Sequence, residues 1–144
     1  MDASGNARSK RMECRRACGG HVVAKWNSCP FCVGAHGAVA ARTMERPLVE
    51  AVLADFRSAP ISEPLKGALA FLEIMTLRPF ELAPEHAQAA LRSKVSTEGL
   101  KDAIAVGTLF NIITRYADAL DFVIPSGEDF DRAAAMLLKR GYAS

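Results

Sequence analysis

Four cysteines and three histidines are the residues of this 144-residue chain best able to do chemistry, and they are unevenly spread. Cys14, Cys18, Cys29 and Cys32 all lie in the first quarter. Cys29-Pro30-Phe31-Cys32 is a C-x-x-C pair with His36 four residues beyond it. On a helix starting near Cys29, positions 32 and 36 stand one turn apart on one face, so the imidazole can reach the Cys32 sulfur directly or through one water. That geometry suits a thiol that must lose its proton, because only the thiolate attacks a peroxide or a disulfide. A helix N-terminus favours the same anion through its unpaired N–H groups and dipole, so Cys32 is expected to be an activated thiol. Two cysteines at this spacing can also close a small disulfide, which lets one resolve the oxidation of the other.

The same residues admit other readings. Cys14, Cys18, Cys29 and Cys32 could supply four thiolates to a zinc module, with His21 and His36 in reserve and a basic flank suited to nucleic acid. They could also be inert buried thiols. His21, ahead of Val22-Val23, reads as a partly buried packing residue, and His86 beside Glu85 as a solvated surface histidine. Trp26 and Phe31 bracket the motif and are expected to pack in the core. Asn111 and Arg115, one turn apart, read as a buried polar pair holding helices or subunits together.

The elements that must position these residues are helices, because no segment shows sustained period-two alternation of β-branched residues. Val33 to Met44 is Ala-rich and stops before Pro47, and Leu48 to Phe56 places Leu48, Val52, Leu53 and Phe56 at helical spacing. Ser62 caps a run with Pro64 in its first turn that continues to Pro79. Pro84 opens a short helix to about Ser93, and Ser96-Thr97 starts the longest, to Phe122. Gly127 to Arg140 is the last, with Phe130, Ala134, Leu137 and Leu138 inward and Gly141 as its stop. Leu109, Phe110, Ile112 and Ile113 wrap so much of the 106–122 segment that it is expected to be buried, centrally or between subunits. About six helices joined by short linkers make an all-α bundle over residues 13–144.

Composition sets the outer limits. The chain is 50% hydrophobic and 24% charged, which excludes a disordered or low-complexity polymer. No run of 18 apolar residues spans a membrane and no signal peptide is visible, so a cytoplasmic protein is expected. The net charge of +2 hides a basic start, where Arg8, Lys10, Arg11, Arg15, Arg16 and Lys25 face only Asp2 and Glu13. Residues 1–12 are expected to be disordered and solvated. Nucleic-acid binding is not expected, because the body carries no matching basic surface.

The string Asn27-Ser28-Cys29-Pro30-Phe31-Cys32-Val33-Gly34-Ala35-His36-Gly37-Ala38 resembles the signature of the AhpD-like alkylhydroperoxidases, within the carboxymuconolactone decarboxylase superfamily. It looks most like the peroxidase-related branch. Leu65 to Pro79 and Leu91 to Leu120, with Leu109-Phe110-Asn111 and Arg115-Tyr116-Ala117, are similar to that branch's later helices, so the resemblance covers residues 21–125.

The resemblance implies an oligomeric all-α bundle that reduces hydroperoxides or disulfides without a metal or other cofactor. Matched position by position, Cys32 is the peroxide-reactive sulfur, Cys29 its resolving partner and proton donor, and His36 the proton relay. A dithiol of lipoyl or thioredoxin type would be the reductant and a second copy of the chain the other partner. The decarboxylase relatives lack the cysteine pair.

One departure matters. The family places a Glu twelve residues before the first motif cysteine, where this chain has Ala17. Glu13 is a turn further out, and Gly19-Gly20, costing about 2 kcal/mol relative to alanine, is expected to interrupt a helix between them. The family's extra N-terminal helical segment also has no counterpart, so a shortened start is expected. Both departures make a catalytically inactive oligomeric helical protein the alternative expectation.

Overall fold

The computed structural model describes residues 16–140, and every regular element among them is helical. Helix α1 runs through residues 16–26, followed by α2 (Pro30–Thr43), α3 (Arg46–Asp55) and α4 (Glu63–Leu77). A 3-10 turn (Pro79–Glu81) leads to α5 (Pro84–Arg92), the long α6 (Thr97–Ala119) and α7 (Gly127–Arg140). Pro30, Pro47, Pro64 and Pro84 all sit in a first turn, where their fixed φ suits the helix and their missing N–H has no partner to lose. The Ser96 hydroxyl accepts from the Gly99 N–H at 3.0 Å and caps α6. No helix among the described residues is long and apolar enough to cross a membrane.

Helix α1 occupies the middle of the bundle. Its Cys18, Val22 and Val23 pack with Val52 and Phe56 near α3, Leu69 and Leu72 of α4 and Ala103 of α6. The expected break at Gly19-Gly20 does not occur. A Cβ on Gly20 would lie 2.4 Å from the Phe110 ring, and one on Gly19 would meet Leu72 at 3.4 Å. The glycines let α4 and α6 close onto α1, and this close packing offsets their poor helix propensity. Glu13 itself lies outside the described residues, as do Cys14, residues 1–12, Arg15 and the Gly141 stop.

Three αL residues end helices, and none is glycine: Ser28 (φ 56), Lys94 (φ 64) and Asp121 (φ 49). Each is followed by an N–H that reaches back five residues: Cys29 to Ala24 at 3.2 Å, Val95 to Ala90 at 3.2 Å and Phe122 to Ala117 at 3.0 Å. These are Schellman closures. The last ends α6 at Ala119, short of the expected Phe122.

Around this core, α7 packs on α2, and α4 packs on both α5 and α6. In α7, Phe130 and Ala134 are buried as expected, but Leu138 is 40% exposed. In α6, the outer stripe is likewise open in the single chain: Leu109, Ile112, Ile113, Tyr116 and Leu120 are 41–65% exposed. Asn111 is half-buried and links α6 to α4 and to the turn after α1, accepting from Asn27 Nδ2 at 2.9 Å and donating to Thr76 Oγ1 at 3.2 Å. The expected buried pair with Arg115 is not formed. Arg115 is exposed, and its guanidinium donates to the Asn111 backbone carbonyl.

Candidate active site

Cys29 holds two backbone posts at once. It closes the Schellman turn of α1 and is the N-cap residue of α2, with extended φ −91 and ψ 104. Pro30 then starts α2, which puts Cys32 in its first turn and His36 one turn later on the same face. Both sulfurs are inside the protein: Cys29 is fully buried and Cys32 is 2% exposed. They share an apolar cluster with Ala24 and Ala117, against which Phe31, Val33 and Phe110 are packed.

Burial first, then the neighbouring Cys29 side chain and the negative charge of Asp118, push the Cys32 thiol up to about 12. The expectation of an activated Cys32 is therefore corrected. A first-turn position favours a thiolate, but here it is outweighed by an apolar enclosure and acidic neighbours. His36 does not help as a cation. Burial, and the repulsion His21 would exert if both rings were protonated, lower it to about 4, so near neutral pH it is an uncharged imidazole. Its ring meets Phe110 edge-on at 4.4 Å.

The aromatic neighbours behave as core residues. Phe31 makes edge contacts with Phe122 at 5.2 Å and Phe130 at 5.8 Å, and Trp26 with Phe56 at 6.1 Å. His86 is half-buried rather than solvated: the Ala83 N–H donates to its Nδ1 at 3.1 Å, at the start of α5. Cys18 belongs to the cluster around Val22, Val52 and Leu72, not to the one holding Cys29 and Cys32. Among the described residues, no three His, Cys, Asp or Glu side chains gather as ligands for a metal ion.

Sequence reasoning missed two members of the site. Phe110 links α1 to the histidine by covering Gly20 and touching His36. His21, read as a packing residue, is 6% exposed with its Nδ1 buried and unpartnered, and its ring lies against Gly37, the residue after His36. The available signal was spacing. His21 follows Ala17 by one turn and so shares its helix face.

A separate cavity of about 470 Å³ opens among α1, α4 and α6. Gly19, Leu65, Leu69, Leu72 and Val106 line it, and the Arg16–Asp102 ion pair at 2.7 Å crosses its rim.

No family model matches the chain, and no curated protein matches it. Among solved structures, the chain is similar in fold to an uncharacterized peroxidase-related protein from Silicibacter sp. TM1040, with a TM-score of 0.72 and 23% identity. The likeness covers 82% of this chain and 61% of the other, so this chain spans less than two thirds of that protein's length.

Proposed function

We propose that the chain is a thiol-dependent oxidoreductase that reduces hydroperoxides or disulfides through Cys29 and Cys32, with His36 as the proton relay. The observation that carries this reading is the shared burial of Cys29 and Cys32 in one apolar cluster, at the start of the helix that also bears His36. The fold shared with a peroxidase-related protein agrees with it.

In the first step the Cys32 proton passes to His36, and the thiolate attacks one peroxide oxygen. The O–O bond breaks, the leaving alkoxide takes the proton back from His36 and departs as the alcohol, and the sulfur becomes a sulfenic acid. The Cys29 thiol then attacks that sulfur; its proton and the sulfenic hydroxyl leave as water, and the Cys29–Cys32 disulfide forms. An external dithiol of lipoyl or thioredoxin class supplies two electrons and two protons to regenerate both thiols. The high Cys32 pKa makes proton removal the difficult step, so an uncharged His36 close by matters more than it would for a thiol already ionised.

The exposed stripe Leu109, Ile112, Ile113, Tyr116 and Leu120 supports self-association, since side chains at this spacing form one apolar face on α6. A second reading rests on the raised Cys32 pKa together with Ala17 in place of an acid: an oligomeric helical protein whose thiols do not turn over.

The deciding experiment is native intact-protein mass before and after mild peroxide treatment, followed by thiol alkylation in denaturant, with the labelled cysteines mapped. Loss of labelling at both Cys29 and Cys32, restored by dihydrolipoamide and abolished in Cys32→Ser, is the expected result. Continued labelling of both after peroxide favours the second reading. A mass gain of one zinc ion overturns both.

A further inference from the structure

We infer that His21 is a positioning residue for His36, an uncharged imidazole that fixes the proton and orientation of the imidazole next to Cys32. The inference rests on the proposed thiol chemistry for its purpose and on packing for its geometry. His21 projects from α1 onto α2 at Gly37, where a Cβ would stand 3.0 Å from its Cε1 and 3.2 Å from its Nε2. A Cβ at that distance would press the ring back by a few tenths of an ångström, so the glycine sets how closely His21 approaches α2. On the other side Phe110 lies over Gly20 and meets the His36 ring edge-on at 4.4 Å, so one aromatic side chain touches both the backbone next to His21 and His36 itself.

A packing role alone leaves one atom unexplained. His21 is 6% exposed, and its Nδ1 is buried without a hydrogen-bond partner, a condition proteins rarely tolerate outside functional sites or sites occupied by water. An apolar side chain of similar size would fill the same space at lower cost. Ala17, one turn earlier, is buried against Val39 and Ala134 and brings no carboxylate to this face. One water bridging the unpartnered His21 Nδ1 to the His36 ring selects the tautomer of His36 without burying a charge, whereas a carboxylate in this enclosure would carry a desolvation cost. Burial, with the Lys25 charge near His21 and His21 itself near His36, favours the uncharged form of both rings, which is the state such a bridge requires.

The test uses the full chain labelled with ¹⁵N. Long-range ¹H–¹⁵N spectra report the tautomer of His36, and peroxide-driven loss of Cys29 and Cys32 labelling reports the reaction. In His21→Phe, His36 is expected to shift to a mixture of tautomers and the labelling loss to slow about tenfold, less than the roughly hundredfold that loss of the proton-transfer group itself costs. His21→Gln, which keeps a donor and an acceptor, is expected to recover most of both. If His21→Phe does not fold, Gly37→Ala displaces the ring by its Cβ and is expected to give the same tautomer shift. An unchanged His36 spectrum in these variants overturns the inference, as does a changed spectrum with an unchanged rate. A wild-type chain indifferent to peroxide overturns the proposed reaction instead, while the spectra still decide whether His21 holds His36.

Discussion

The Cys29 N–H donates to the Ala24 carbonyl at 3.2 Å, so the residue that closes α1 is the residue that opens α2. This single bond sets the angle between the two helices and the place of the first sulfur. The side chains of the two residues also meet in the cluster around Cys32, the hydrophobic contact that accompanies a Schellman turn. Cys29 and Cys32 are thus placed by a helix junction, one residue at the joint and the other in the first turn beyond it.

That junction depends on Ser28 at φ 56, a conformation that costs a non-glycine residue about 1 kcal/mol or more. Ser28→Gly is expected to stabilise the protein by about 1 kcal/mol. Ser28→Val is expected to destabilise it, because β-branching is poorly tolerated there. Urea unfolding midpoints of the two variants should move in opposite directions, and movement in the same direction would contradict the αL turn.

The packing of α6 on α1 is tested at Gly20. Alanine improves helix propensity by about 1 kcal/mol, yet its Cβ would fall 2.4 Å from the Phe110 ring. Gly20→Ala is expected to lose about 1–3 kcal/mol net through overpacking. Phe110→Leu alone costs stability too, but the double variant should be better than the sum of the singles, giving a favourable coupling in a thermal or urea cycle.

The buried imidazole predicts a pH dependence. His36 binds its proton near pH 4 when folded and near 6.5 when unfolded, so between these values the unfolded chain holds more protons. Stability from this group is complete above pH 6.5 and is lost as pH falls toward 4. His36→Gln should reduce the stability difference between pH 7 and pH 4.5 by about 2 kcal/mol. A wild-type unfolding free energy that is flat across this window would contradict the burial of His36.

The Cys32 thiol predicts slow alkylation at neutral pH, with a rate that keeps rising past pH 9, because burial and the Cys29 contact hold its pKa near 12. Single-cysteine mapping of iodoacetamide rates against pH checks this. A plateau near pH 7 would show a thiolate that the apolar cluster does not permit.

The open stripe of α6 predicts self-association. Ile112 and Leu120, at 51% and 64% exposed, face outward with Leu109 and Tyr116. Lysine at both positions should lower the light-scattering mass and leave the helical circular dichroism intact. A wild-type chain that is already monomeric at micromolar concentration would contradict an interface on this stripe.

Local chemistry determined a good deal by sequence alone. Proline in the first turn, apolar periodicity and Ser96 located α2 through α7 to within a few residues, because these signals act over a turn or two of chain. The C-x-x-C spacing likewise placed Cys29, Cys32 and His36 on one helix start. What failed depended on neighbours distant in sequence. Gly19-Gly20 reads as a break until Phe110 and Leu72 are laid across it. Ser28, Lys94 and Asp121 carry no turn signature that distinguishes them from residues inside a helix.

The state of the thiol was the hardest to read. A first-turn position argues for a low pKa, and that argument is local. The opposing influences, burial among Ala24, Ala117 and Phe110 and the nearby Asp118, come from α1 and α6. His21 shows the same division. Its sequence neighbours, Val22 and Val23, mark it as a packing residue, while its meeting with Gly37 and His36 exists only once α1 lies against α2. Sequence determined which groups were available and their order along each helix. Tertiary structure decided their protonation, because desolvation is a property of everything packed around a group and not of the chain that carries it.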